Sequence, residues 1–198
     1  TVKVDSVPQP LALAGPWELR FQPGRGAPEK VVLGQLASWS EHPDSGVKYF
    51  SGTGTYTLRF KVPSDWLRKD RRLVLDLGRV EVSAELRVNG KELGIAWKAP
   101  YRLEVSEALK AGDNTLEVKV ANLWANRLVG DEQYPDDCTW NRDGSLKEWP
   151  EWLVKGAPRN SPRLTFTTWK HWKKDDPLVE SGLLGPVTLR VVEIRVVK

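Results

Sequence analysis

The chain of 198 residues contains no methionine and a single cysteine, Cys138. One cysteine cannot form an intramolecular disulfide, so packing of the core has to stabilise the fold. A complete translation product begins with methionine. We therefore expect a piece of a longer polypeptide, rather than a product that has lost only its initiator.

Long apolar runs and concentrated charge are also missing. No segment approaches the roughly 20 apolar residues that a membrane-spanning helix needs. The 30 basic and 26 acidic residues leave a net charge of only +4, whereas nucleic-acid-binding proteins usually concentrate Lys and Arg in a patch. Residues 170–174 come nearest to such a patch, but Asp175 and Asp176 follow at once. We expect neither a nucleic acid nor a membrane as a partner.

Residue patterns for catalysis are scarce. Of the two histidines, neither His42 nor His171 has the spacing of a zinc ligand or of a catalytic triad. Glycoside hydrolysis needs two carboxylates held across a bond. No regular element pairs the acidic residues of the irregular segment, which are Asp131, Glu132, Asp136, Asp137, Glu148 and Glu151. We therefore predict that the chain is not an enzyme.

No cofactor is expected either. Two pairs of adjacent acids, Asp136-Asp137 and Asp175-Asp176, leave a structural calcium ion open, because calcium prefers oxygen ligands. The alternative is that these pairs only form turns, as adjacent acids in loops commonly do.

Alternation of apolar and polar side chains is present in the middle of the chain, at residues 73–77, 82–88 and 116–120. A period of two is typical of strands with one buried and one solvated face. In the second run the inward residues are expected to be Val82, Ala84, Leu86 and Val88. Asn89-Gly90 tolerates the positive φ of a tight hairpin turn, so the sheet is predicted to be antiparallel.

Further strands complete the fold prediction. They are predicted at residues 17–21, 30–33, 55–62, 101–105, 164–168 and 187–197, the last with a bulge at Val191-Val192 that keeps both halves facing the core. Ser64 and Ser106 are expected to cap short helical turns. Strands at this spacing with almost no helix predict an all-β antiparallel β-sandwich, with residues 1–198 forming one domain.

Strand patterns fail at about residues 131–163, where Pro, Gly, Asp and Trp dominate. We predict a Trp-rich loop insertion here with one short helix over residues 149–155. Pro150 suits the first helical position and Gly156 suits the position after the helix end. Disordered chains seldom carry so many tryptophans, so the insertion is expected to be ordered.

The ten tryptophans, against four Phe and four Tyr, are the compositional sign of a binding surface. An indole can cover the apolar face of a sugar ring, while polar side chains bind its hydroxyl groups. The predicted carbohydrate-binding residues are Trp169, Trp172, Lys170, Trp140, Trp149, Trp124, Asn126, Arg127 and Asp131. The alternative is that these tryptophans fill a second small core beneath the long loop.

Several motifs resemble a known family. Four motifs resemble the sugar-binding domain of family-two glycoside hydrolases: a strand ending in LG, the AELRVNG hairpin, an aromatic-Pro-Tyr turn and the strand GDNTLEVKVAN. The tail, with NLWANRLVGDEQ, LKEWPEWL and TFTTWKHWKKDDPLVESGLLGPVTL, is similar to the accessory sandwich of bacterial α-L-rhamnosidase-like enzymes. The resemblance implies a jelly-roll, galactose-binding-like fold.

The resemblance also implies a function. It predicts a non-catalytic carbohydrate-binding module, secreted or periplasmic in a bacterium, beside the catalytic domain of a polysaccharide-degrading enzyme. The implied partners are that catalytic domain and a polysaccharide or oligosaccharide; mild basicity suggests an acidic plant glycan. The alternatives are a structural domain that only buttresses a catalytic barrel, and a free-standing hydrolase.

Overall fold

Strands dominate residues 7–194, the part of the chain that the computed structural model describes. The strands are β1 Leu11–Ala12, β2 Trp17–Phe21, β3 Lys30–Leu33, β4 Thr53–Val62, β5 Arg71–Asp76, β6 Arg79–Glu81, β7 Ser83–Val88, β8 Lys91–Ala96, β9 Arg102–Glu104, β10 Gly112–Ala121, β11 Gly182–Gly185 and β12 Thr188–Glu193. The α-helices are α1 Ser45–Lys48, α2 Ala125–Asp131 and α3 Glu151–Val154. Short 3₁₀ turns occur at Trp39–Glu41, Ser64–Trp66 and Ser106–Ala108.

The strands form two main antiparallel sheets. One has six strands in the order β3-β2-β4-β10-β7-β8, and the other has four in the order β1-β12-β5-β9. Strands β11 and β6 form a small third sheet. Side chains from both main sheets meet in one apolar core, which is the packing of a β-sandwich. The predicted all-β antiparallel sandwich is confirmed.

Register explains how the alternating sequence builds this core. Val118 of β10 lies opposite Leu86 of β7 and Tyr56 of β4, and all three side chains are fully buried. Leu75 of the other sheet lies opposite Leu189 of β12 and is equally buried. Because side chains alternate between faces, one apolar residue in two fills the core while its neighbours reach solvent.

The predicted hairpin turn is confirmed at Asn89-Gly90, where φ is 52° and 80°. These values suit the tight two-residue turn that joins β7 to β8. The Asn89 side chain also donates to the Ala108 carbonyl at 2.8 Å and accepts from the Thr115 N–H at 3.0 Å. Asn89 therefore links the turn to neighbouring parts of the sandwich.

Some local predictions are wrong. Val82 is 36% exposed because β7 begins only at Ser83. No bulge occurs at Val191-Val192: β12 pairs with β5 without a shift, so Val191 is buried while Val192 is exposed. The predicted end of that strand, Val196-Val197, lies outside the described residues.

Helix ends differ from the predictions as well. Neither Ser64 nor Ser106 caps its turn through a side-chain hydrogen bond. The Ser106 hydroxyl instead accepts from the Leu73 N–H at 2.8 Å. Pro150 directly precedes α3 rather than opening it. Helix α2, which begins at Ala125 shortly after β10 ends at Ala121, was not predicted.

In the described part of the chain, no helix combines the length and apolarity that crossing a membrane requires.

Candidate functional site: the tryptophan-rich insertion

The insertion is anchored at its base by Asp131, the last residue of α2. Its Oδ2 accepts hydrogen bonds from the Leu164 N–H at 3.0 Å, the Thr165 N–H at 2.7 Å and the Thr165 hydroxyl at 2.6 Å. The strand predicted at residues 164–168 does not form, since part of its backbone bonds to this carboxylate instead of to a strand. Asp131 is only 2% exposed, so its contacts are structural.

Arg163 holds the first loop of the insertion. Its guanidinium donates to the carbonyls of Pro135 at 2.9 Å and Tyr134 at 2.8 Å. It also donates to Glu132 at 2.8 Å and Asp136 at 3.0 Å. Burying a guanidinium is costly unless its donors are paired, and here they bind four acceptors. A lone arginine between Pro and Leu carries no periodic signal, so the sequence did not reveal this contact.

Two further predicted binding residues lie inside the protein. Asn126 is fully buried, and its amide both donates to the Val179 carbonyl at 2.8 Å and accepts from the Val179 N–H at 2.9 Å. Arg127 is 6% exposed and forms an ion pair of 3.0 Å with Asp131. Asn126 therefore acts as a link between α2 and the segment before β11. Trp124, just before the helix, is 67% exposed.

Trp140, Trp169, Lys170 and Trp172 are brought together around one small cavity of about 20 Å³. A single water molecule needs roughly 10–15 Å³, so a sugar ring cannot enter this space. Lys170 Nζ lies 2.6 Å from Asp136 Oδ2 and 3.7 Å from Glu132 Oε2, so its charge is largely compensated. Trp140 and Trp172 are half-buried, as a second small core requires, but Trp169 remains 51% exposed.

A larger open cleft of about 730 Å³ lies on the same insertion; we call it the insertion cleft. Its aromatic residues are Trp149, which is 60% exposed, and the half-buried Trp152. Both indoles pack against Phe166, with ring centroids 6.0 and 5.5 Å apart. Its charged lining residues are Asp136, Asp137, Glu148, Glu151 and Arg159.

Arg159 organises one wall of the insertion cleft. It donates to Asp137 at 2.6 Å, and its guanidinium lies 4.5 Å from the Trp152 ring centroid. Burial raises the pKa of Asp137, but hydrogen bonds from Arg159 and Ser161 outweigh burial and lower this pKa below its ordinary value. Burial and the Asp137 charge raise the pKa of the Cys138 thiol. Asp137 thus stays ionised, while Cys138 stays a thiol.

Three of the four acids considered as calcium ligands, Asp136, Asp137 and Asp176, have other partners. Asp136 bonds to Arg163 and Lys170, and Asp176 accepts from the Lys173 N–H at 2.8 Å. Within residues 7–194, no group of three or more His, Cys, Asp or Glu side chains is arranged to hold a metal ion.

Known proteins share this architecture. The solved structure of a rhamnosidase from Novosphingobium sp. PP1Y matches with a TM-score of 0.77 and 37% identity, over 97% of this chain and 16% of that one. A protein of Formosa agariphila named "Putative beta-glucuronidase" is 49% identical over 190 residues, which are 96% of this chain and 16% of that protein. A β-D-glucuronidase structure from Dictyoglomus thermophilum, 19% identical with a TM-score of 0.60, shares the fold across 96% of this chain and 29% of its own.

The chain thus spans about one sixth of the length of the first two proteins. Residues 45–158 match the sequence model described as the galactose-binding-like domain of glycosyl hydrolase 2. The resemblance seen in the sequence motifs is confirmed. Because this match covers more than half of the chain, the protein belongs to the glycosyl hydrolase 2 galactose-binding-like domain family.

Proposed function

We propose that the chain is a non-catalytic carbohydrate-binding module of a larger, polysaccharide-degrading glycoside hydrolase of a bacterium, secreted or periplasmic. The observation that carries the proposal is the insertion cleft, where the exposed Trp149 indole lies beside a row of polar side chains. An indole face stabilises the apolar face of a sugar ring, and neighbouring carboxylates accept hydrogen bonds from its hydroxyls.

The lining of the cleft favours an uncharged glycan. Four acidic side chains and one arginine line it, so a glycan carboxylate would meet charges of its own sign. Sugar hydroxyls are donors as well as acceptors, and the carboxylates suit them as partners. The exposed Trp169, which follows the insertion in the chain, provides a second aromatic surface for a longer glycan.

The same groups are poorly suited to hydrolysis. A glycosidase needs one carboxyl whose pKa is raised, so that it is protonated and can donate to the leaving group. In the cleft the pKa of Asp137 is lowered instead, and Asp136 is bound by two cations. These contacts support binding without catalysis.

The test is a binding screen of the 198-residue chain against neutral and acidic polysaccharides. We expect at least one neutral glycan to bind, and Trp149→Ala to weaken binding by about tenfold, since an aromatic platform contributes ~1–3 kcal/mol per ring. Trp97→Ala is the matched control, because Trp97 is 66% exposed and does not line the cleft. The proposal would be contradicted if both variants lost the same amount of glycan affinity, or if the chain bound no glycan at all.

A second candidate, a structural domain that buttresses a catalytic barrel, is favoured by one other observation. Leu123, Val82 and Trp97 lie just beyond the ends of β10, β7 and β8, which meet at one end of the six-stranded sheet. All three are exposed, by 57%, 36% and 66%. Exposed apolar side chains at one end of a sheet are typical of a surface that packs against another domain. This candidate predicts that the isolated chain binds no glycan.

A further inference from the structure

We propose that a second pocket binds an acidic sugar residue, with the sugar carboxylate at Arg25 and Arg127 and the sugar ring against Trp124. The pocket is separate from the insertion cleft and is lined by Arg25, Ser51, Trp124, Arg127, Leu164, Thr165 and Phe166. We call it the arginine pocket. The inference goes beyond the proposed function, because it concerns another surface and another class of ligand.

Close packing of three chain segments forms this pocket. Gly130 of α2 lies against Tyr49, where an added Cβ would come within 2.5 Å of the tyrosine Cβ. Gly26 lies against Leu164 and Arg127, at 3.0 and 3.6 Å from the position of an added Cβ. Glycines at these contacts let the loop before β3 and the helix approach each other. The resulting space, about 210 Å³, is below the roughly 300–1,000 Å³ of pockets for drug-sized ligands and suits a single sugar unit.

The charge of the arginine pocket is positive. Two arginines and no acidic residue line it. Arg25 is exposed and forms no ion pair with any residue between 7 and 194. Arg127 is 6% exposed and forms an ion pair of 3.0 Å with Asp131, while its buried Nε has no hydrogen-bond partner within the described chain. Arg25 therefore supplies the uncompensated positive charge of the pocket, and a sugar carboxylate that binds it gains a charge-assisted hydrogen bond.

The remaining lining residues suit a sugar rather than a bare anion. Trp124 presents an indole that is 67% exposed, and Leu164 and Phe166 supply further apolar surface. Ser51 and Thr165 also line the pocket, and the Thr165 hydroxyl, which donates to Asp131, can still accept a hydrogen bond from a ring substituent. An inorganic anion would use only the arginines, whereas a uronic acid uses both kinds of surface.

The test compares two ligands that differ only in charge: an oligogalacturonide trimer, and the same trimer with its carboxylates reduced to alcohols. Calorimetric titration of the 198-residue chain should show that the acidic trimer binds about tenfold more tightly or better, and that this preference shrinks as salt is added. Arg25→Ala and Trp124→Ala should each weaken binding of the acidic trimer by about tenfold. Arg59→Ala, at an exposed arginine outside the pocket, is the matched control and should bind normally.

Three results would overturn the inference. They are equal affinity for the two trimers, unchanged binding by Arg25→Ala, and a loss of acidic-trimer binding in Trp149→Ala that does not occur in Trp124→Ala. Arg25 lies on an exposed loop, so its variant is expected to fold, and its melting temperature checks this. If the acidic trimer does not bind at the arginine pocket, the proposal that a neutral glycan binds through Trp149 is unaffected. If no neutral glycan binds at the insertion cleft, the proposal for the arginine pocket is likewise unaffected, so the two proposals are tested independently.

Discussion

Arg163 and Glu132 lie 31 residues apart in the sequence, yet Nη1 of the arginine donates to Oε1 of the glutamate at 2.8 Å. The two residues come from opposite ends of the insertion. Their ion pair, together with the carbonyls that Arg163 also binds, closes the insertion into a loop with a fixed base.

Replacing Arg163 with Ala should loosen the insertion without unfolding the sandwich. Breaking a buried ion pair costs about 3–5 kcal/mol, because the partner is left uncompensated. In hydrogen exchange, the Lys147 amide, bonded to Thr139 within the insertion, should lose protection, while amides of β4 and β10 keep theirs. Arg59→Ala is the control. If Arg163→Ala removed protection from the insertion and from β4 and β10 together, the expectation would be contradicted.

The sandwich could be predicted from the sequence because its signal is local and periodic. Ala84, Leu86 and Val88 are buried as the alternation requires, and Asn89-Gly90 forms the predicted turn. The predictions failed where a strand ends, as at Val82, since alternation does not mark the point at which pairing stops. Val192 shows a related error: two adjacent valines suggested a bulge, but β12 keeps its register and leaves one of them exposed.

The candidate site could be predicted only in part. Trp140, Trp169, Lys170 and Trp172 were all among the predicted binding residues, and the structure brings them together around one cavity. Sequence could not tell that their common space is too small for a sugar, because that depends on how the side chains pack. The sequence also could not reveal Arg25 as a candidate binding residue. Arg25 is far from Trp124 in the sequence, and only the folded structure brings the two residues to the same pocket.

Acid sensitivity should depend on Asp76, which joins three strands. Burial raises the pKa of this carboxyl, but the Gly78 N–H, Arg102 and Arg190 outweigh burial and hold the pKa below its ordinary value. Stabilisation by the ionised form is therefore present above the unfolded pKa of about 3.9 and is lost as the pH falls through the lower native pKa.

Asp76→Asn should accordingly lower the free energy of unfolding at pH 7 by about 1–3 kcal/mol. The difference in the free energy of unfolding between variant and parent should narrow as the pH falls below the unfolded pKa of about 3.9. Urea unfolding at several pH values measures both effects. Asp113→Asn is the control, because the Asp113 side chain is 85% exposed; a difference for Asp76→Asn that stays constant with pH would contradict the assignment.

The chain should show no glycosidase activity. Asp131 is buried against Leu164 and Thr165, and Glu132 is bound to Arg163, so neither is free to act on a substrate. Aryl glycosides incubated with the pure chain should release no phenol above the background rate. A rate that disappears when Asp131 or Glu132 is replaced would show that the chain is a hydrolase.

Replacing Trp169 and replacing Trp172 should have different effects on the stability of the protein. Trp169 is 51% exposed, so Trp169→Ala should leave the melting temperature nearly unchanged and weaken glycan binding by about tenfold. Trp172 is half-buried and packs against His171, so Trp172→Ala should also destabilise the insertion. Calorimetry and thermal melts separate the two effects. Normal binding by both variants would show that the glycan does not extend to Trp169.

The most direct test of carbohydrate binding at the insertion cleft uses the ten indole N–H signals of the chain in nitrogen–proton correlation spectra. During titration with a neutral oligosaccharide from the binding screen, we expect the Trp149 signal, assigned by its absence in Trp149→Phe, to shift progressively and saturably. The signal of Trp97, which lies outside the cleft, should stay in place. If the Trp149 signal does not move while the oligosaccharide binds, or if no indole signal responds at all, the insertion cleft is not a glycan-binding site.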